Sequence, residues 1–393
     1  MYRIFYKFYP SLLIEMGILE EIGVKRVINA SFPLTAIGGS ILTKEMLDAM
    51  AEANESFTDL WDFMEKAGKF VAELTGAEAA HITPGAFAAL VLSAAACIAG
   101  RDPEKMKRLP DTSGMKNEII IQRCLRSPMY DRSMTVPGGK FHFVGDESGC
   151  TPEEIEAAIN ERTAAIHYLA SYRIREGVVP LEEVIRIGKR HGVPIIVDAA
   201  GQTYPVDGLK KYVAMGADLV CYSAKYFGGP NSAGFVIGRK DLVETVALHS
   251  FIGIQTQSPV RGAYSIGRGY KISRRTVAAM LVALKRWMTM DHEKERIQPA
   301  RRRARYIMDE LAGVSGVETK TYPEEFVSGH ILGLEMIFKD EETAEMVRRK
   351  LWEGDPAIRV GFRRERGRVI INTLWLKDGE EKIIAERLKD ILS

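Results

Sequence analysis

The chain has 393 residues, of which 46% are hydrophobic and 27% charged, a composition typical of a globular protein with two or three domains. Its 54 basic and 52 acidic residues leave a formal net charge of +2, so charge gives no reason to expect a nucleic-acid partner. No apolar run is long enough to span a membrane, and the hydrophobic N-terminus is interrupted and lacks the cleavage site of a signal peptide. We therefore expect a cytoplasmic protein with no membrane partner.

The first part of the chain is predicted to pass from helices to alternating strands and helices. Apolar residues at three- and four-residue intervals predict helices over 43–54, 57–74, 85–100, 151–163 and 181–192. Thr151 and Glu154 have the spacing of a capping box at the start of one of them. Five short apolar runs predict strands over 117–123, 164–170, 193–201, 217–223 and 233–238. This alternation favours an α/β fold with a mostly parallel sheet and helices on both faces.

Beyond Arg274 the pattern changes to one long helix over 274–314, which we expect to be kinked or broken near Pro299. A smaller α+β segment follows. Its strands are predicted over 317–323, 330–339 and 368–376, and its helices over 340–354 and 378–393. The predicted organisation is an N-terminal segment (1–25), a large α/β domain (26–292) and a small α+β C-terminal domain (293–393).

Asp198 and Lys225 follow two successive predicted strands. Ligands of parallel α/β sheets bind beyond the carboxyl ends of the strands, so the two side chains would face one cleft if an ordinary crossover joins these strands. One interpretation is a buried ion pair, which is an expensive way to stabilise a fold. The other is a cofactor with a carbonyl group for the lysine and a basic nitrogen for the aspartate. Pyridoxal 5'-phosphate (PLP) has both, because a lysine Schiff base and a pyridinium partner are its usual protein contacts.

The third requirement of PLP is a site for its phosphate. The turn Thr83-Pro84-Gly85-Ala86 precedes the predicted helix 85–100, whose N-terminus can bind an oxyanion, and Gly85 lets the backbone approach it closely. Ser223, two residues before Lys225, can donate its hydroxyl to the same phosphate. A glycine turn before a helix, a strand-ending aspartate and a Ser-x-Lys segment in this order together favour PLP.

The motifs also resemble a known family: fold-type I PLP enzymes of the branch that contains bacterial selenocysteine synthase and D-glucosaminate-6-phosphate ammonia-lyase. The resemblance covers most of residues 20–290 and is closer to the ammonia-lyase. It implies a mostly parallel, seven-stranded type of sheet in the large domain. The matching segments are RVINASFPLTAIGGS (26–40), ELTGAEAAHITPGAFAAL (73–90), LPDTSGMKNEIIIQR (109–123), PIIVDAAGQ (194–202), CYSAKYFGGPNSAGFVIGRKDLV (221–243) and IGRGYKIS (266–273).

The resemblance implies specific roles for residues of this chain. Lys225 is implied as the lysine that forms the Schiff base, and Asp198 as the partner of the pyridine nitrogen. Arg268 lies in a segment that relatives of this fold present across a dimer interface, where it would reach a phosphate or carboxylate of the neighbouring subunit; the alternative is a surface arginine. We therefore expect a homodimer or a higher homo-oligomer. The further cofactor-binding candidates are Gly85, Ala86, Phe87, Gln202 and Ser223.

Two departures from the family pattern lie where substrate would bind. Relatives of the lyase often have a Gly-His pair after the strand at 117–123, where a ring can stack on the cofactor; this chain has Cys124-Leu125-Arg126. Relatives also tend to carry an acid near position 202, where this chain has Gln202. The resemblance therefore defines the cofactor better than the substrate.

The implied function is a PLP-dependent lyase that releases ammonia by α,β-elimination from a hydroxylated amino acid or amino-sugar acid such as D-glucosaminate 6-phosphate. Lys225 is placed to act as the general base. Selenocysteine synthase-like transfer is the alternative; we expect it less, because only about 25 residues precede RVINA and the net charge is small. Aldol cleavage and racemisation use the same residues and stay open. A non-enzymatic scaffold is less expected, since the lysine, the aspartate and the phosphate turn are all retained.

Other reactive side chains receive weaker predictions. The cysteines lack metal-ligand spacing and are expected to be thiols; all precede residue 222, which argues against a desulfurase with a late mobile cysteine. His81 and His167 are expected to be packed residues, and no metal site is predicted. The small domain carries four arginines that are candidates for the substrate carboxylate or for a solvated strand edge: Arg359, Arg363, Arg364 and Arg368.

Overall fold

The computed structural model describes residues 17–171, 176–254, 265–323, 330–363 and 367–393, with the backbone alone for 253–254 and 362–363. The described residues form two compact units. The larger comprises 33–295 and His330. The smaller comprises the described residues within Met1–Phe32, Arg296–Glu324 and Ile331–Ser393. No helix in these ranges is long and apolar enough to cross a bilayer.

Twelve strands lie in the described ranges. In chain order they are β1 (Val27–Ala30), β2 (Ala79–Thr83), β3 (Glu118–Gln122), β4 (Lys140–Val144), β5 (Thr163–Leu169), β6 (Ile195–Asp198), β7 (Leu219–Ser223), β8 (Gly234–Gly238), β9 (Val317–Tyr322), β10 (Gly333–Phe338), β11 (Ala357–Arg363) and β12 (Arg368–Asn372). The five strands predicted for the large domain all form. β2 and β4 in this unit, and β1 and β11 in the smaller one, were not predicted.

The described α-helices in chain order are α1 (Ile18–Glu21), α2 (Lys44–Glu55), α3 (Leu60–Thr75), α4 (Ala86–Ala99), α5 (Pro103–Arg108), α6 (Pro128–Thr135), α7 (Pro152–Ala158), α8 (Leu181–His191), α9 (Lys211–Met215), α10 (Lys240–His249), α11 (Arg274–Thr289), α12 (Gln298–Glu310), α13 (Glu341–Glu353) and α14 (Glu380–Leu392). The predicted capping box begins α7: the Thr151 hydroxyl accepts the N–H of Glu154, and the Glu154 carboxylate accepts the N–H of Thr151.

The larger unit is built on a seven-stranded sheet of order β2-β8-β7-β6-β5-β3-β4. β8 runs antiparallel to both of its neighbours, and all other pairs are parallel. The mostly parallel α/β sheet inferred from alternating strands and helices is therefore confirmed. Helix α4, apolar on every side, is almost wholly buried between this sheet and helices α6 and α10. Its burial fixes the N-terminus of α4 at one edge of the sheet.

The smaller unit contains a five-stranded sheet of order β1-β11-β12-β10-β9, in which β1 pairs with β11 in parallel and the other pairs are antiparallel. Residues 27–30 therefore belong to this sheet, whereas we expected them in the large domain. The reason is the apolar face of β1: Ile28 and Ala30 are buried in the same core as Ile358 and Val360. The unit boundary at 295/296 lies three residues from the predicted one.

The predicted long helix is interrupted just before Pro299. α11 ends at Thr289, a π-helical turn follows over Glu293–Ile297, and α12 begins at Gln298. Pro299 lies in the first turn of α12, directly after the π-helical turn. The prediction that the helix is kinked or broken near Pro299 is therefore confirmed.

Candidate active site

The site begins at the carboxyl ends of two adjacent strands. β6 and β7 pair in parallel, with Asp198, the last residue of β6, opposite Cys221, the third residue of β7. Lys225 follows in a 3-10 turn over Ala224–Phe227, immediately after β7. Paired strands lie about 4.8 Å apart, so both side chains start from the same edge of the sheet. The predicted proximity of the two strand ends is confirmed.

Lys225 is held by a neutral partner. Its side chain is half-buried, and Nζ donates a hydrogen bond to Oγ1 of Thr35 at 2.8 Å. Burial lowers the pKa of the Lys225 ammonium from its usual value. Within the described ranges, Lys225 forms no ion pair with Asp198 or any other carboxylate, so the structural ion-pair interpretation does not hold. An amine that loses its proton more easily is suited to nucleophilic and base chemistry.

Asp198 carries a buried carboxylate, one oxygen of which accepts no hydrogen bond from the described residues. Its residue is 5% exposed, and Oδ1 accepts the backbone N–H of Ala200 at 3.0 Å. Oδ2 receives no hydrogen bond from the part of the chain that the structure describes. Burial, with a smaller contribution from the charge of Asp131, raises the pKa of Asp198 to about 6. A cationic N–H donor at Oδ2 would reverse that shift.

The N-terminus of α4 forms an open, uncapped turn. Gly85 has φ 115° and ψ 168°, a conformation that favours glycine, and no side chain caps the helix. The Thr83 hydroxyl donates to the Gly85 carbonyl at 2.9 Å, which fixes the turn. A Cβ built on Gly85 would meet no atom within 4 Å, so there is room in front of the turn. Backbone N–H groups facing open space are suited to a phosphate.

Strand register brings Ser223 to this turn. Thr83 of β2 and Ser223 of β7 both pair with Gly234 of β8. A Cβ on Gly234 would lie 2.8 Å from the carbonyl carbon of Gly85 and would also clash with the Tyr222 carbonyl, so only glycine lets β8 lie under the turn. The Ser223 hydroxyl has no partner among the described residues. Gly85, Ala86, Asp198, Ser223 and Lys225 thus gather at one edge of the sheet.

The remaining cofactor-binding candidates are Gln202, Phe87 and Arg268. Gln202 is buried, and its Oε1 accepts the Tyr212 hydroxyl at 3.5 Å. Phe87, in the first turn of α4, is 42% exposed. Arg268 follows the bridge between Ser250 and Gly267, and its guanidinium forms no hydrogen bond or ion pair with the other candidates in the described ranges. Its predicted reach into a neighbouring subunit stays a prediction.

Contacts between two loops place Thr35 beside Lys225. These contacts were not predicted from the sequence. Ser40 donates its hydroxyl to the carbonyl of Gly229. Gly39 has φ 79°, and a Cβ on it would lie 2.6 Å from the side-chain oxygen of Asn231. The Gly-rich turn after Lys225 therefore holds the loop that carries Thr35. The motif over 26–40 was the only signal for Thr35 in the sequence.

Tyr226 and His330 are also neighbours of the site that were not predicted. The Tyr226 ring lies beside Gly201, and its centroid is 5.1 Å from that of His330. His330 also hydrogen-bonds the Gly201 carbonyl through Nε2. Burial, together with the nearby Tyr130 and Asp198, raises the pKa of Tyr226 to about 12. The Tyr226 phenol therefore stays neutral near pH 7.

The histidines and cysteines agree with their predictions. Burial lowers the pKa of both His81 and His167 to about 4, so both rings are neutral and packed. His167 Nε2 lies 3.8 Å from Oδ1 of the buried Asp131. The four cysteines all lie in described ranges and none forms a disulfide.

Comparisons with known proteins agree with this fold. Residues 34–257 match the family model of L-seryl-tRNA selenium transferase (SelA). The 5'-C-glycyluridine monooxygenase-decarboxylase of a Streptomyces species is 30% identical over 95% of this chain and 91% of that protein. The D-glucosaminate-6-phosphate ammonia lyase of Salmonella typhimurium is 32% identical over 69% of this chain and 70% of that protein.

Solved structures are similar to this chain over nearly its whole length. A D-glucosaminate-6-phosphate ammonia-lyase structure has a TM-score of 0.83 at 27% identity and covers 96% of this chain and 99% of that one. A serine palmitoyltransferase with PLP bound has a TM-score of 0.57 at 16% identity over 93% and 87% of the chains, which shows the fold alone. The protein is thus a fold-type I PLP-dependent enzyme. Within that class, the chain belongs to the SelA family.

Proposed function

We propose that the protein is a PLP-dependent lyase that releases ammonia from a hydroxylated amino acid or amino-sugar acid. Bound PLP supplies the electron sink that makes the Cα–H of an amino acid acidic. Lys225 would hold the cofactor aldehyde and then take the Cα proton, and Asp198 would hold the positive charge of the ring nitrogen. The turn at Gly85–Phe87 and Ser223 would bind the cofactor phosphate. The similarity to D-glucosaminate-6-phosphate ammonia-lyase over nearly the whole chain supports this reaction.

One observation carries the assignment. Asp198 keeps an unpaired oxygen in a buried position, while Lys225, on the adjacent strand end, donates to Thr35 and not to Asp198. A buried carboxylate without a cation is unfavourable, and its pKa is correspondingly raised. The missing partner is a cationic N–H, which the pyridinium of PLP provides. The residues present therefore fit the cofactor.

The proposed elimination balances without a further reactant. Lys225 removes the proton from Cα, and the β-hydroxyl leaves as water. The unsaturated amine that results takes up one water and yields a 2-oxo acid and ammonia, so substrate equals products overall. The desolvation that lowers the pKa of Lys225 supports the base role, because a larger fraction of the amine is unprotonated near neutral pH.

Borohydride reduction followed by peptide mapping tests the assignment. The wild-type protein should carry a pyridoxyl group on Lys225. Lys225→Ala should fold but give no adduct and no 2-oxo acid. Lys44→Ala, which removes a surface lysine paired with Asp48, is the matched control and should behave as wild type. Retention of turnover in Lys225→Ala would refute the role of this lysine.

A second reaction is favoured by one finding. The Streptomyces monooxygenase-decarboxylase aligns with 95% of this chain, against 69% for the Salmonella lyase. Oxygen-dependent decarboxylation of a glycyl group would use the same lysine and aspartate. Oxygen uptake with release of carbon dioxide would favour this reaction, and ammonia release without oxygen uptake would favour the lyase.

We also infer that the protein acts as a homodimer in the cytoplasm. Support comes from the larger unit, where several large apolar side chains are exposed: Ile41, Leu47, Phe57, Met129 and Tyr130. An interface between copies of the chain would remove some of these side chains from water. Light scattering coupled to gel filtration should give twice the chain mass of 43.8 kDa.

A further inference from the structure

The proposed elimination needs a proton donor as well as a base. Lys225 takes the proton from Cα, while the β-hydroxyl must gain a proton to leave as water, because hydroxide is a poor leaving group. Tyr226 directly follows Lys225 in the 3-10 turn Ala224–Phe227. Nζ of Lys225 lies 5.2 Å from the centroid of the Tyr226 ring. A phenol therefore accompanies the proposed base at the same edge of the sheet.

The Tyr226 ring is held in place by contacts that do not use its hydroxyl. A Cβ built on Gly201 would lie 3.7 Å from Cζ, the ring carbon that bears the hydroxyl. The ring of His330 packs against the tyrosine, with 5.1 Å between the centroids. His330 is itself fixed, since its Nε2 hydrogen-bonds the Gly201 carbonyl. The backbone carbonyl of Tyr226 also accepts the hydroxyl of Thr203 at 3.1 Å.

The hydroxyl of Tyr226 has no partner among the described residues. Tyr226 is half-buried and its hydroxyl oxygen is not enclosed, so a bound molecule can reach it. Tyr222, on the preceding strand β7, shows the contrast: it is fully buried, and its hydroxyl donates to the Gly208 carbonyl at 2.7 Å. A reactive group that packing positions and no hydrogen bond occupies is suited to act on a substrate.

The protonation state of Tyr226 fits a proton donor. Burial, followed by the nearby Tyr130 and the negative charge of Asp198, raises the pKa of Tyr226 to about 12. The phenol therefore keeps its proton near pH 7. It is still a stronger acid than water, whose pKa is about 15.7, so transfer of the phenolic proton to a departing hydroxide is favourable.

We propose that Tyr226 is the general acid that protonates the β-hydroxyl of the substrate as its carbon–oxygen bond breaks. The proposal rests on the proposed lyase function and adds a second catalytic residue to it. The electron pair of the Cα–H bond forms the Cα–Cβ double bond, and that of the C–O bond leaves with the hydroxyl. The hydroxyl takes the phenolic proton and departs as water. Lys225 then passes the proton taken from Cα to the phenolate, which restores both side chains.

Tyr226→Phe tests the proposal, because it removes the hydroxyl and keeps the ring that packs against His330. The variant should have the wild-type melting temperature and carry the pyridoxyl group on Lys225 after borohydride reduction. Ammonia release from racemic serine and from D-glucosaminate 6-phosphate should fall about 100-fold or more. With racemic β-chloroalanine, whose chloride leaves without a proton, the variant should keep the wild-type rate. Tyr306→Phe, in the smaller unit, is the matched control and should behave as wild type.

Proton exchange at Cα reports the base without the acid. Racemic alanine has no leaving group, so exchange of its Cα proton in deuterated water depends on Lys225 and not on the phenol. Proton NMR should show equal exchange with wild type and Tyr226→Phe, and none with Lys225→Ala.

The possible outcomes distinguish the acid role from the lyase function. Equal ammonia release from serine by wild type and Tyr226→Phe would overturn the acid role and leave both proton transfers to Lys225. An equal loss on serine and β-chloroalanine, or a loss of alanine exchange, would overturn it as well, since the hydroxyl would then be structural. If wild type carries the pyridoxyl group but releases ammonia from none of the three compounds, the lyase function itself fails, and the acid role fails with it.

Discussion

Lys225 is joined to Thr35 by a 2.8 Å hydrogen bond that spans 190 residues of sequence. The contact exists because Ser40 and Gly39 fasten the loop that carries Thr35 to the turn after Lys225. A lysine that has a hydroxyl partner and no ion pair with a described carboxylate keeps a fixed position without gaining the stabilised positive charge that an ion pair would give. The hydrogen bond therefore positions the amine while burial keeps its pKa low.

Thr35→Val should slow the reaction without preventing cofactor attachment. The substitution keeps the shape of the side chain and removes the acceptor of the Lys225 hydrogen bond. We expect kcat to fall about tenfold, the equivalent of a hydrogen bond worth about 1.4 kcal/mol. Steady-state kinetics of ammonia release would measure this, and Thr35→Ser should restore most of the rate. A variant with wild-type kcat would mean that Thr35 does not position the amine.

Asp198→Asn should stabilise the cofactor-free protein and weaken its hold on PLP. The pKa of Asp198 is raised from 3.8 to about 6, so the folded state binds a proton more tightly than the unfolded state. The contribution of Asp198 to the free energy of unfolding is then greatest below pH 4 and is lost as the pH rises to 6. This loss is at most about 3 kcal/mol. Melting temperatures of the cofactor-free proteins should differ at pH 7.5 and converge near pH 4.

With PLP bound, the effect of Asp198→Asn on the melting temperature should have the opposite sign. A pyridinium at Oδ2 would stabilise the ionised Asp198, so wild type should gain more melting temperature from PLP than Asp198→Asn does. Fluorescence titration with PLP should show weaker binding by the variant. Equal gains in both proteins would leave Asp198 without its proposed partner.

The central part of the site could be predicted because short-range rules determine it. A strand-helix-strand unit places successive strands side by side, so Asp198 and Lys225 were expected to be neighbours. β4 was missed because it is an edge strand whose residues, apart from Val144, are at least partly exposed, which leaves no buried apolar run to recognise. β1 was assigned to the wrong unit, since its pairing with β11 joins residues about 330 positions apart. Thr35 reaches the site through a loop whose path depends on tertiary contacts, whereas Tyr226 directly follows Lys225 in the same 3-10 turn.

Gly234→Ala should damage the phosphate turn and the fold together. A new Cβ would lie 2.8 Å from the carbonyl carbon of Gly85, and both neighbours that it meets are backbone, which cannot rotate away. We expect a loss of about 1–3 kcal/mol in the free energy of unfolding and weaker PLP binding. Urea unfolding and PLP titration measure the two effects. Gly17→Ala is the control, because Gly17 has open space around it and should tolerate the methyl group.

Arg368→Ala should cost stability and leave substrate binding unchanged. Arg368 Nη1 lies 2.8 Å from Oε2 of Glu335, a residue that is 1% exposed. This pairing commits Arg368 to the core of the smaller unit, so we do not expect it to bind the substrate carboxylate. Among the described residues, removing it leaves the buried Glu335 with one cation, Lys320 at 3.9 Å, so the free energy of unfolding should fall by about 3 kcal/mol.

A double variant distinguishes an effect on stability from an effect on substrate binding. Arg368→Ala combined with Glu335→Gln removes the uncompensated charge and should recover most of the lost stability in urea unfolding. KM should stay at the wild-type value in both variants. Arg359 is the contrasting arginine, because its guanidinium lies over the Trp352 ring at 5.7 Å, and no ion pair joins it to a described carboxylate. A large rise in KM for Arg368→Ala at temperatures where the variant stays folded would reverse this assignment and place the substrate carboxylate at Arg368.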